Sequence, residues 1–156
     1  MHWLFDPHLN SKSEQLTDAE AKHAKSLRLS VGEEIVITNG AGFCVLATMT
    51  SESDFRIASE FEVEKPKIAF HLVQALAKSD RDEMALQAAC ELGVSSVTPW
   101  ESSRSIVKWD GKVEKNRERW QQIALSAMKQ SQQAWLPQVN PVSKTKQLKP
   151  AGRGLV

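Results

Sequence analysis

Apolar positions in the first 65 residues fall in short runs and alternations, the rhythm of strands, with one helical interval. Trp3 to Phe5 predicts a first short strand. Thr17 to Glu20 has the capping-box pattern, in which the two end side chains each satisfy a free backbone N–H, so a short helix is predicted through about Lys25. Val31-Gly32-Glu33 reads as a turn into a strand over Glu34–Thr38, and Asn39-Gly40 as a tight turn before the apolar run Phe43–Met49, together a hairpin. Phe55, Ile57, Phe61 and Val63 then share one side of a period-two pattern, with Asp54, Arg56, Glu60, Glu62 and Glu64 on the other, as a half-buried strand requires. Several short strands and one helix suggest a small barrel, because closing a sheet removes edges that would pair with other chains. Lys65-Pro66-Lys67 marks the expected domain boundary.

Beyond it the rhythm changes. Ile68 to Leu76 is nearly continuously apolar, which predicts a central strand covered on both faces. Ser79 or Asp80 is placed to cap a helix over about 81 to 92, with Asp82 and Glu83 near its positive end and Gly93 terminating it. Val94 to Thr98 predicts a strand closed by Pro99, giving a βαβ unit with a right-handed crossover to a parallel neighbour. A second helix is predicted over about 112 to 133, burying Trp120, Ile123, Ala124, Ala127, Met128 and Ser131 and leaving Lys115, Arg119, Gln122 and Lys129 on other faces. Leu136 to Val139 reads as a third strand, and residues 140 to 156 as partly disordered.

Composition narrows the class of protein. The chain has 156 residues, 41% hydrophobic and 25% charged, with no apolar run near the ~20 residues a membrane helix needs and no signal-like start, so a cytoplasmic globular protein is expected. Cys44 and Cys90 lie in apolar runs and are expected as buried, reduced thiols. The four histidines show no metal-ligand spacing, so no metal is expected. Net charge is +1, yet residues 1 to 99 carry 9 Lys and Arg against 15 Asp and Glu, while residues 100 to 156 carry 11 against 4. A positive second half suits a polyanionic partner as well as a solvated helix face.

Candidate chemistry follows the strand ends. Lys78 stands at the carboxyl end of the 68–76 strand, where open α/β sheets place ligand crevices, and reads either as a crevice cation or as a solvated turn lysine. Arg81 is a weaker candidate because Asp80, Asp82 and Glu83 can occupy it. The segment Glu101 to Trp109 brings Arg104 and Lys108 among small hydroxyl residues and an indole, which suits phosphate and base contacts, although Trp109 can equally be a packing anchor. His23 and Arg28 can cover backbone phosphates, or be structural. No nucleophile stands beside a base, so catalytic residues stay unassigned.

Read together, His23, Leu27-Arg28, Gly32-Glu33-Glu34, Asn39-Gly40-x-Gly42, Gln74-Ala75-Leu76-x-Lys78, Glu91-Leu92-Gly93-Val94, Pro99, Arg104-Ser105-x-Val107-Lys108, Arg119-Trp120, Gln130-Ser131 and Leu136-Pro137 form an ordered series. From Trp3 to about Val139 this series resembles the ribosomal RNA small subunit methyltransferase E family, which methylates N3 of a uridine in 16S rRNA with S-adenosylmethionine. The resemblance implies an α+β two-domain fold: a small PUA-like β-barrel over residues 1–66 that grips RNA, then, over 67–156, the first half of an α/β SPOUT domain, a knotted Rossmann-like fold. It implies a homodimer, and it places Lys78, Arg104, Lys108 and Arg119 on an RNA-facing side with His23 and Arg28 on the barrel. The implied reaction is direct displacement, uracil N3 attacking the sulfonium methyl after losing its proton.

The departures carry equal weight. The family's Gly-Pro-Glu-Gly-Gly type cofactor loop and later knot segments have no counterpart before Val156, so a C-terminally truncated member is expected, with no cofactor site in this chain and no methylation by it alone. Ser79 replaces a usual glycine, Asp82 follows Arg81 where methionine is usual, and Gln132 and Gln133 stand where arginine is common. Two rival readings are an RNA-binding adaptor without catalysis and a small-molecule α/β enzyme with its crevice at Lys78 and Arg104.

Overall fold

A computed structural model describes residues 1 to 148, which pack as two compact units. The first comprises Met1–Pro66 together with Gln132–Trp135, and the second Lys67–Ser131 with the chain from Leu136 on. Residues 132–135, placed by sequence in the second domain, therefore pack with the first.

In the first unit, β1 (His2–Phe5), α1 (Asp18–Ser26), β2 (Glu34–Thr38), β3 (Phe43–Met49) and β4 (Phe55–Glu62) follow one another closely along the predicted pattern. The strands form a sheet ordered β1-β2-β3-β4, with β1 parallel to β2 and the other pairs antiparallel. No pairing of β1 with β4 closes it into a barrel among the described residues. One face buries Leu4, Ile35, Ile37, Val45, Ala47 and Met49 against Ala24 of α1 and the loop residues Leu9 and Leu16. Thr17 caps α1, its Oγ1 accepting from the Glu20 N–H at 3.3 Å.

The alternation predicted for β4 fails halfway. Ala47 pairs with Ile57 but Leu46 with Ser59, so one extra residue bulges out of β4 and the facing of every later side chain reverses. Phe61 consequently lies opposite Cys44, away from the core that Ile57 joins, and is 38% exposed. The Gln132–Trp135 segment is fixed by short bonds: Ala134 O accepts from Thr38 Oγ1 at 3.0 Å and from Gly42 N at 3.2 Å, and Trp135 Nε1 donates to Val63 O at 2.9 Å. Gly42 has φ of +100°, and a Cβ there would stand 2.7 Å from the Trp135 ring, so only glycine fits.

The second unit contains β5 (His71–Ala75), α2 (Arg81–Glu91), β6 (Ser96–Glu101), α3 (Val113–Gln130), β7 (Gln138–Val139) and β8 (Ser143–Lys144). Its sheet is parallel throughout, ordered β5-β6-β7, with β8 also on β6. The central strand is β6. The strand predicted to be central, β5, is instead at an edge among the described residues, with Val73 46% exposed and, just before it, Ile68 70% and Phe70 61%. A continuous apolar run does not report how many strands flank it or that both of its faces are covered.

Pro99 does not end its strand, which runs on to Glu101. Asn140 N donates to Val97 O and Leu76 N to Trp100 O, so odd-numbered residues of β6 direct their backbone groups towards β7 and β8 and even-numbered ones towards β5. Pro99 thus lacks its N–H on the side where β7 has paired Ser96 and Val97 and β8 has yet to pair Trp100 and Glu101. A proline is tolerated in this central strand because the neighbouring ladder is interrupted beside it. The third strand is shorter than predicted, and Ser143 to Gln147, predicted as partly disordered, form β8 and a 3-10 turn, anchored by Trp100 Nε1 donating to Thr145 Oγ1 at 3.1 Å. The rest of that predicted stretch, 149–156, lies outside the described residues.

α2 and α3 pack against the sheet and each other around Leu86, Cys90, Val97, Trp120, Ala124 and Ala127. Trp109 joins this core, buried and edge-on to Trp120 with ring centroids 5.2 Å apart. It is a packing anchor, and the alternative of a base-stacking surface indole is excluded. No helix among the described residues is long and apolar enough to cross a membrane.

Candidate functional site

Because β5 and β6 are parallel, the loops after them emerge at the same edge of the second unit's sheet. The first loop, Ala77 to Asp80, carries Lys78; the second, Ser102 to Lys112, carries Arg104 and Lys108. Each is sewn to the frame. The predicted cap at Asp80 does not form, since this residue has φ of 57° and no side-chain bond to the helix. Asp82 takes the anchoring task instead: buried to 6% exposure, its carboxylate accepts from Ala77 N at 3.1 Å and from Glu83 N at 2.9 Å. Ser105 Oγ lies 2.9 Å from Leu76 O and 3.0 Å from Val107 O, holding the second loop against the first.

Between the loops and α3 is a shallow concavity lined by Lys78, Asp82, Glu83, Lys108 and Arg119, with Trp109 and Trp120 below. Three of the sequence candidates meet there. They are not equally available. Arg119 forks onto Glu83, with Nε–Oε1 at 2.6 Å and Nη2–Oε2 at 2.7 Å, and lies 4.0 Å from Asp80. The hydrogen-bonded Glu83 carboxylate raises the guanidinium pKa further above its ordinary value. Lys108 reaches buried Glu101 at 3.4 Å, while Lys78 is exposed and has no ion pair among the described residues.

Arg104 is exposed on the second loop and lines neither concavity. Arg81, expected to be occupied by its acidic neighbours, has no ion pair among the described residues, because Glu83 and Asp80 turn to Arg119 and Asp82 to backbone. His23 and Arg28 belong to the first unit, His23 Nδ1 being 3.1 Å from Glu20 Oε2 and Arg28 exposed at the end of α1.

A second concavity is lined by Lys112, Lys115, Asn116, Glu118, Arg119 and Gln122 on the solvent face of α3. Neither Lys112 nor Lys115 is among the sequence candidates for the site, although Lys115 is placed with Arg119 and Gln122 off the buried face of this helix. Their spacing to Arg119 and Gln122 is the signal that could have found them, since positions three and four apart share a helix face. Both cysteines are buried thiols; burial raises Cys44, and burial followed by the Glu91 charge pushes Cys90 up to about 11. No group of three His, Cys, Asp or Glu among the described residues is placed to hold a metal ion.

Comparison with known proteins finds relatives for both the antiparallel-rich small unit and the parallel α/β unit with its cationic loop edge. Residues 16–58 match the family description "RNA methyltransferase PUA domain", and residues 63–151 match "RNA methyltransferase domain". The chain belongs to the RNA methyltransferase family these describe. It is 31% identical over 135 residues to the ribosomal RNA small subunit methyltransferase E of Mycobacterium tuberculosis, covering 83% of this chain and 52% of that one. The Bacillus subtilis enzyme of the same name is 31% identical over 140 residues, covering 85% and 55%. The crystal structure of the Neisseria gonorrhoeae enzyme bound to S-adenosylmethionine matches with TM-score 0.82 at 30% identity, covering 91% of this chain and 62% of that one. The chain thus spans about half the length of the curated relatives it matches. The first unit is the PUA-like sheet and the second the α/β part of the methyltransferase fold.

Neither of the two concavities described above fits that cofactor. Charged side chains make up half of the first lining and most of the second, and the large apolar groups beneath the first, Trp109 and Trp120, are spent on each other and on the core. An adenosyl group needs an apolar slot, and neither surface offers one.

Proposed function

We propose that these two units grip ribosomal RNA for methylation of a uridine at N3 in 16S rRNA, in the cytoplasm, and that they do so without holding the methyl donor themselves. One observation carries the reading: the carboxyl ends of two parallel strands and one face of α3 bring Lys78, Lys108 and Arg119 to a single concavity. Cations so arranged contact phosphate oxygens and fix the register of the strand, while the target base turns out of its stack. Arg104 on the same loop edge adds to this contact, and His23 and Arg28 would make a contact of their own on the first unit. Of these, Lys78 and Arg104 have the charge freest for RNA, Lys108 and Arg119 being held by Glu101 and Glu83. No residue is assigned to removing the N3 proton. The reading also includes a homodimer, which light scattering on the purified protein tests.

The deciding experiment pairs two titrations of the 156-residue chain. Fluorescence anisotropy with an RNA fragment of the small subunit should give an affinity that falls as salt rises, because bound phosphates release counterions. Calorimetry with S-adenosylmethionine should give no binding heat, and mixing chain, RNA and donor should give no methylated uridine. An affinity indifferent to salt defeats the RNA reading, and saturable donor binding defeats the assignment of the donor elsewhere.

A further inference from the structure

We infer that the solvent face of α3 bearing Lys112 and Lys115 is a phosphate-tracking strip that continues the RNA grip beyond Arg119; it rests on the reading above and extends it to residues outside that set. Lys112, Lys115, Arg119 and Gln122 recur at three- and four-residue steps and line one concavity. Their rises along the axis are roughly 4.5 and 6 Å for the successive cations, a spacing comparable to that of neighbouring phosphates on a strand. Lys112 and Lys115 are exposed and have no ion pair among the described residues, so their charge is uncommitted.

Continuity with the first concavity gives the strip its direction. Asn116 and Arg119 line both surfaces, so a strand lying on Lys78 and Lys108 passes over them onto Lys112 and Lys115. Arg119 at this junction is a positioning residue, pinned by Glu83. The strip also adjoins acidic groups: Glu118 lines it, and Glu114 and Asp110 are near in sequence. These shape its edge and limit its affinity for polyanions without removing the free cations. An RNA strand is the partner that matches such a row, since it offers phosphates in series where a small anion offers one.

The test compares the full chain with Lys112→Ala/Lys115→Ala and Lys112→Arg/Lys115→Arg double variants by anisotropy on the same RNA fragment at several salt concentrations, with circular dichroism melts confirming folding. Losing two phosphate contacts should flatten the log–log salt slope by about 1.4 to 1.8, so the affinity lost between 50 and 200 mM salt shrinks about tenfold in the alanine variant. The arginine variant should keep the parental slope. An alanine variant that folds and binds RNA with an unchanged slope overturns the strip and leaves the wider RNA reading standing. A parent chain with no salt-dependent RNA binding overturns both.

Discussion

Arg28 occupies a backbone position that suits glycine. It follows α1 with φ of 58°, donating its N–H to Lys25 O, while Leu29 N reaches back to Ala24 O, a left-handed helix end at which an L side chain costs of order 1 kcal/mol. A residue held there despite the strain is a reasonable place to look for function. Arg28→Gly should leave stability within about 1 kcal/mol of the parent, strain relief offsetting the added freedom of the unfolded chain, while weakening RNA binding. Urea melts and anisotropy separate these; a large stability loss with unchanged RNA affinity would make Arg28 structural. Cys90 gives a pH prediction. Its folded thiol is raised from near 9 to about 11, so its contribution to stability is present below the unfolded value and is lost as pH rises through that window. Stability should fall by on the order of 2 kcal/mol more in the parent than in Cys90→Ala between pH 8 and pH 11, as denaturant titrations would read. At this scale the candidate site was legible as residue types and strand ends, but their partners were not. Nothing local in the sequence says that Glu83 turns to Arg119, 36 positions on, and leaves Arg81 without an ion pair among the described residues.

Elements were legible wherever one chain segment decides its own state. The hairpin at Asn39-Gly40, the Thr17 cap and the Gly93 stop all formed, because turn and cap chemistry acts over a few residues. What was missed lay in distant strands: β5 read as central but stands at an edge among the described residues, Pro99 read as a terminator, and β8 went unread because its pairing partner lies over 40 residues upstream. The β5-to-α2 turn shows the same limit at short range, since Asp82 and not Asp80 secures it. Replacing Asp82 with alanine removes a buried acceptor from two N–H groups, which should cost about 1 to 3 kcal/mol. The loop bearing Lys78 would loosen with it. Hydrogen exchange at the Ala77 amide should therefore accelerate and RNA affinity drop, with Asp82→Asn recovering part of both; an unchanged Ala77 exchange rate would show that the turn is held by other contacts.

Across the whole chain, charge and fold divide at nearly the same place. Residues 1–66 carry 6 Lys and Arg against 11 Asp and Glu, and residues 67–156 carry 14 against 8. A polyanion approaching such a molecule is drawn to the second unit and repelled from most of the first, so on the proposed RNA grip the long-range attraction would belong to the α/β unit. The first unit offsets this only locally, where Lys22, Lys25 and Arg28 stand exposed along α1 beside His23. On that proposal, short-range contact at α1 and long-range attraction at the second unit would make separable contributions. Ultraviolet cross-linking to the RNA fragment at low salt should accordingly concentrate in peptides spanning Lys78, Arg104 to Lys115 and Arg119, with a minor share from α1. Raising the salt should deplete the α/β cross-links first, because they draw on the larger sum of released counterions. Cross-links confined to residues 1–66 at every salt would mean that a net-negative sheet holds the RNA through specific contacts alone, and the assignment of the electrostatic grip to the second unit would fail.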